Sequence, residues 1–123
     1  MAAPALDAAN LVFVLGELSG PPRRRQLPSG DDLVEFDVTT RGDSGTGSVP
    51  VAWFAAGPAA DDLDAGTAVA VAGHVRRRFF RAGGATQSRT EVVAARVIVS
   101  GRPTAVGRLK AQVAATLAGA PPA

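Results

Sequence analysis

At 123 residues the chain can enclose one hydrophobic core and not two. No cysteine and a single histidine exclude a disulfide framework, a thiolate zinc site, a cysteine nucleophile and a three-histidine metal centre. The net charge is only +2, yet residues 31–75 carry eight acids and one base, Arg41, while residues 76–123 carry nine bases and one acid, Glu91.

Arg23, Arg24 and Arg25 form a second basic segment, and every base except Lys110 is arginine. Concentrated guanidinium groups in a nearly neutral chain fit a polyanionic partner; a general codon preference for arginine would give the same composition. Aromatic residues make up only 5%, so small aliphatics must build the core and each aromatic is a candidate for function.

Residues 1–9 read as a flexible N-terminus. Met1 to Asp7 has no basic stretch ahead of an apolar run, and no segment approaches the roughly 18 apolar residues of a membrane span. A soluble, cytoplasmic protein without membrane contact is expected. From there Gly and Pro cut the chain into short pieces, most with strand periodicity. The first strand is Asn10 to Leu18, an almost unbroken apolar run. Pro21 to Gly30 reads as a loop. The second strand, Leu33 to Thr40, alternates Val34, Phe36 and Val38 with Glu35, Asp37 and Thr39, giving one buried and one wet face.

Gly42 to Ser48 reads as a flexible connector, and Val49 to Ala56 as the third strand, with Trp53 on the core side and Phe54 opposite. Residues 57–66 can form one or two helical turns ended by Gly66. Asp61, Asp62 and Asp64 read there as acids favoured by a helix N-terminus rather than as a cation site. The fourth strand, Thr67 to Phe80, places Val69, Val71, Gly73, Val75, Arg77 and Phe79 on one side. Ala70, Ala72, His74, Arg76, Arg78 and Phe80 fall on the other. Arg81 to Ser88 reads as a turn and Arg89 to Ser100 as the fifth strand, with Val93, Ala95, Val97 and Val99 alternating against Val92, Ala94, Arg96 and Ile98. After Pro103, Val106, Leu109, Val113 and Leu117 recur at helical spacing, predicting a C-terminal helix ended by Pro121 and Pro122. The layout is all-β: a five-stranded Greek-key barrel of OB-fold type over residues 10–100, with a short helix between strands three and four, and residues 101–123 as helix and short tail.

These residues resemble the bacterial single-stranded DNA-binding proteins from about Asn10 to Ser100. The carriers are Asn10 to Leu18, Pro22, Arg25, Pro28 and Gly30 at the spacing of the family's first loop, Val38-Thr39-Thr40, Leu63-x-x-Gly66-x-x-Val69-x-Val71-x-Gly73, and Thr90-Glu91-Val92. The resemblance implies base stacking on Phe54 and Phe80, which fall at the family's aromatic positions. It also implies a homo-oligomer, a dimer or tetramer assembled partly through the first strand, and roles in DNA replication, repair or recombination. The family's further tryptophans have no counterpart in the connector, and the long Gly-rich tail with an acidic tip is missing. The expectation is therefore a short, tail-less member whose replication or repair partners are open.

Binding a single strand without regard to sequence needs flat π-faces for bases and basic groups for the backbone. On an extended strand Arg76, Arg78 and Phe80 repeat about every 6.6–6.8 Å along one face. The predicted DNA-binding set is Arg23, Arg24, Arg25, Phe54, His74, Arg76, Arg78, Phe80 and Arg81, with Phe79 and Trp53 read as core. No catalytic residues, metal or cofactor are expected, because no nucleophile, acid–base pair or ligand set is recognisable and Gly42-x-x-Gly-x-Gly47 lacks the Gly-Lys-Ser/Thr of a phosphate loop. The alternative is an OB-fold protein-interaction or primosome-type accessory module with weak nucleic-acid binding, docking through the C-terminal helix.

Overall fold

A computed structural model describes residues 8–99 and 102–119. The expected flexible N-terminus up to Asp7 and the helix stop at Pro121 and Pro122 lie outside the described residues. Among them run β1 (Val12–Leu18), β2 (Arg23–Gln26), β3 (Asp32–Gly42), β4 (Gly45–Phe54), a 3-10 turn (Gly57–Asp62), β5 (Ala68–Ala82), β6 (Ala85–Val99) and α1 (Pro103–Leu117). The strands follow the order β1-β5-β6-β4-β3, and β3 returns to β1 through Glu17↔Thr39 and Leu18↔Val38, closing a five-stranded barrel with the layout of an OB-fold. None of the described helices is long and apolar enough to cross a membrane.

Alternation does what the sequence predicts in β3, where Val34, Phe36 and Val38 point inward with Val51, Val69, Val71 and Val92. Ala60 and Leu63, on and just after the 3-10 turn, plug one end of this interior beside Leu18. The helix covers the opposite surface of β5: Val106 and Leu109 bury Ala70 and Ala72, with Phe13, Ile98 and Val113 packed around them. Small alanines on β5 let the helix approach closely, which explains why residues with outward parity are buried.

Closure needs two glycines. A Cβ on Gly16, where β1 passes from β5 to β3, would run into the Thr39 carbonyl oxygen. One on Gly73 would strike the Val93 carbonyl beside a bulge in the β5–β6 ladder.

Four expectations are corrected. Arg23–Gln26 is a strand, not a loop: it pairs antiparallel with Asp32–Glu35 of β3, because Pro21, Pro22 and Pro28 lie just outside the four residues whose backbone groups pair. Gly42 to Ser48 is no flexible connector, since the β3–β4 ladder runs on to Gly42↔Gly45 and ladder bonds ask nothing of side-chain size. Arg81 to Ser88 is likewise mostly strand, with only Gly83 and Gly84 at the turn. Finally, Ala72 pairs with Arg96 but Gly73 with Ala94, so Ala95 is an extra residue. The bulge reverses the parity of β6: Val92 and Ala94 share the interior with Val97 and Val99, and Val93 does not.

Candidate nucleic-acid interface

Beyond Val75 and Val92 neither β5 nor β6 has another ladder partner among the described residues, and the two continue as a ribbon to a two-residue turn at Gly83 and Gly84. This arm stands about 20 Å from the barrel, from a rise of about 3.3 Å per residue. Cross-strand pairs fix its two faces. The front carries Arg76 opposite Glu91, Arg78 opposite Arg89 and Phe80 opposite Gln87.

Glu91 organises the front. Its side chain is 1% exposed and accepts hydrogen bonds from three guanidiniums: Arg76 Nε at 2.8 Å, Arg78 Nε at 3.2 Å and Arg89 Nε at 3.2 Å. Burial pushes the Glu91 pKa up, but the hydrogen bond from Arg76 and the charges of Arg78 and Arg76 outweigh it and hold the carboxyl below its ordinary range. Three cations against one anion leave the cluster with two positive charges.

The same arginines lie on the aromatic rings. The Arg76 guanidinium carbon is 5.2 Å from the Phe54 ring centroid, and that of Arg78 is 5.3 Å from Phe80. Phe54 is half-buried and Phe80 is 38% exposed. Each pair offers a π-surface and a positive charge side by side, the combination that holds a stacked base and its phosphate.

Leu33 pairs with Phe54 and Glu35 with Ala52, while Arg25 and Arg23 pair with Leu33 and Glu35, so both arginines share the sheet face of Phe54. Arg23 is exposed, and Arg25 reaches Glu35 at 3.5 Å. Arg24 points to the other face. Its guanidinium bonds Asp61 at 2.6 Å, Asp32 at 3.1 Å and the Gly57 carbonyl at 2.6 Å, tying the edge strand to the 3-10 turn; the Asp61 hydrogen bond leads in raising its pKa. His74 is exposed and lines a cleft against α1 with Arg96 and Gln112. Arg81 donates to the Gly84 carbonyl at the arm's tip.

Two readings of individual residues change. Phe79 keeps its inward parity but is 65% exposed, because at that point the ribbon has left the barrel and there is no interior to enter. Trp53 is half-buried against the core as expected. Asp61 and Asp62 end the 3-10 turn rather than start a helix, and Asp64 closes a tight turn onto Ala65 and Thr67. Sequence reasoning missed Arg89 and the structural part played by Glu91; the signal was that Glu91 is the sole acid after residue 75.

No family model and no curated protein matches this sequence. Among solved structures, that of a Plasmodium falciparum SSB in complex with ssDNA matches at a TM-score of 0.65 and 18% identity, over 78% of this chain and 98% of that one. At that identity the likeness establishes a shared fold: this chain is built on the same barrel.

Proposed function

We propose that the protein binds single-stranded DNA without sequence preference, non-enzymatically, in support of replication, repair or recombination. The observation that carries the reading is the face on which Phe54 and Phe80 lie under Arg76 and Arg78, with both guanidiniums anchored by a buried carboxylate. Bases stack on the rings and on the guanidinium planes, while Arg23, Arg25, Arg76, Arg78 and Arg89 hold phosphates. The fold neighbour supports the reading, because it shares this fold and is an SSB in complex with ssDNA. His74 extends the contact along β5, Arg81 lies on the opposite face of the arm with Arg77 and Phe79, and Arg24 contributes by fixing the edge strand rather than by touching the nucleic acid. Self-association through β1, where Leu15 is 44% exposed, belongs to the same proposal.

Titration of labelled oligo-dT over a salt series tests it. If about five to eight phosphates are neutralised, log K falls against log salt with a slope of about −3.5 to −5.6. Phe80→Ala weakens binding by about 1–3 kcal/mol. A flat salt response, or binding indifferent to Phe80, refutes the assignment of this face.

A further inference from the structure

The arm has a back face that the proposed site does not use. Alternation puts Val75, Arg77, Phe79 and Arg81 there, opposite Val92, Thr90, Ser88 and Thr86. Phe79, at 65%, is the most exposed aromatic among the described residues, and Val75 is 40% exposed. The Arg77 guanidinium carbon sits 5.2 Å from the Phe79 ring centroid, and its Nη2 donates to Ser88 Oγ at 3.1 Å. The ribbon thus repeats on its back the pairing that Arg78 and Phe80 make on its front at 5.3 Å.

The chemistry of the back face selects its occupant. Arg77 and Arg81 flank the ring at the strand repeat of about 6.6–6.8 Å. The arm's one acid, Glu91, belongs to the front, where three arginines enclose it. A ligand for this face must therefore supply negative charge on both sides of a flat apolar group. A nucleotide strand does so, with phosphates either side of a base.

We propose that Arg77, Phe79 and Arg81 form a second contact site for single-stranded nucleic acid, so that a long enough strand clasps the arm from both faces. The proposal rests on the ssDNA reading above and extends the path of that strand.

The test uses the full chain and fluorescently labelled oligo-dT of increasing length, with Phe79→Ala, Phe79→Leu and Phe80→Ala. Phe79 is largely in water, so its variants keep the fold. Expected is that Phe79→Ala binds the shortest bound oligomers like wild type and loses about 5- to 100-fold on long ones. Phe79→Leu loses as much, because leucine keeps apolar area but has no π-face, and Phe80→Ala loses at every length. Unchanged binding of Phe79→Ala at all lengths overturns the proposal. So does Phe79→Leu behaving as wild type, which marks a merely apolar contact, or a fall in the mass of the DNA-free protein on Phe79→Ala, which marks a subunit contact. Wild type failing to bind any oligomer is a separate result: it removes the ssDNA reading itself, and this site with it.

Discussion

Replacing Glu91 by glutamine keeps the side chain's shape and removes its charge, leaving Arg76, Arg78 and Arg89 converged on a neutral amide. One end of that amide is itself a donor, so at least one guanidinium loses its acceptor. Removing one partner of a buried ion pair costs about 3–5 kcal/mol. Here the three arginine side chains are 38%, 37% and 34% exposed and can turn to water, which screens part of the loss. The expected destabilisation is about 2–3 kcal/mol, below the fully buried case and above an exposed pair. Urea unfolding measures it: with a slope of about 1–3 kcal/mol per molar, the midpoint falls by about 0.7–3 M while the slope stays the same. A loss below about 1 kcal/mol would place Glu91 among ordinary surface pairs and refute the reasoning. Nitrogen-edited NMR gives a second readout, since the Nε–H signals of Arg76, Arg78 and Arg89 lose their common acceptor in the variant.

Acid has a related effect. Because the folded pKa of Glu91 is depressed, the unfolded chain takes up the proton first, and the stability from this group is complete above the ordinary carboxylate value of about 4.3. It is lost as the pH falls through the lower folded value, so Glu91→Gln should show a shallower acid limb than wild type in thermal melts. Gly73→Ala forces a methyl group against the Val93 carbonyl and should cost about 1–3 kcal/mol, read by urea unfolding; an unchanged midpoint would mean that the bulge relaxes freely. Arg24→Ala should speed amide exchange over Gly57 to Leu63 while leaving the salt slope of oligo-dT binding intact. Arg78→Ala should reduce that slope by about 0.7, and equal effects from both would contradict the two-faced placement of these arginines.

The barrel was legible where a period of two met a real interior. Val34, Phe36 and Val38 announce their buried face, and the opposition of Phe54 and Phe80 to the aliphatic side follows from parity alone. The C-terminal helix was equally readable from Val106, Leu109 and Val113. Parity failed where its premise did. At Phe79 the strand continues but the interior has ended, and at Ala95 one extra residue reverses the count for the rest of β6. The edge strand at Arg23–Gln26 carries no apolar pattern, since its ladder with β3 is made by backbone groups that composition does not reveal. Glu91 was visible as an isolated acid, but its three arginines come together only through strand pairing and side-chain reach.

The tip of the arm bears on how the chain folds. Gly83 and Gly84 both take positive φ, 59° and 79°, as a two-residue hairpin turn of the type matched to strand twist requires. The Ala82↔Ala85 pair can form by closing the shortest of loops, and each later pair then zips onto its neighbour at small entropic cost. The β1–β3 seam, by contrast, joins residues some twenty positions apart through only two pairs. The ribbon should accordingly gain its register early and the barrel shut late, so a lesion at the two glycines would slow assembly of a core they never touch.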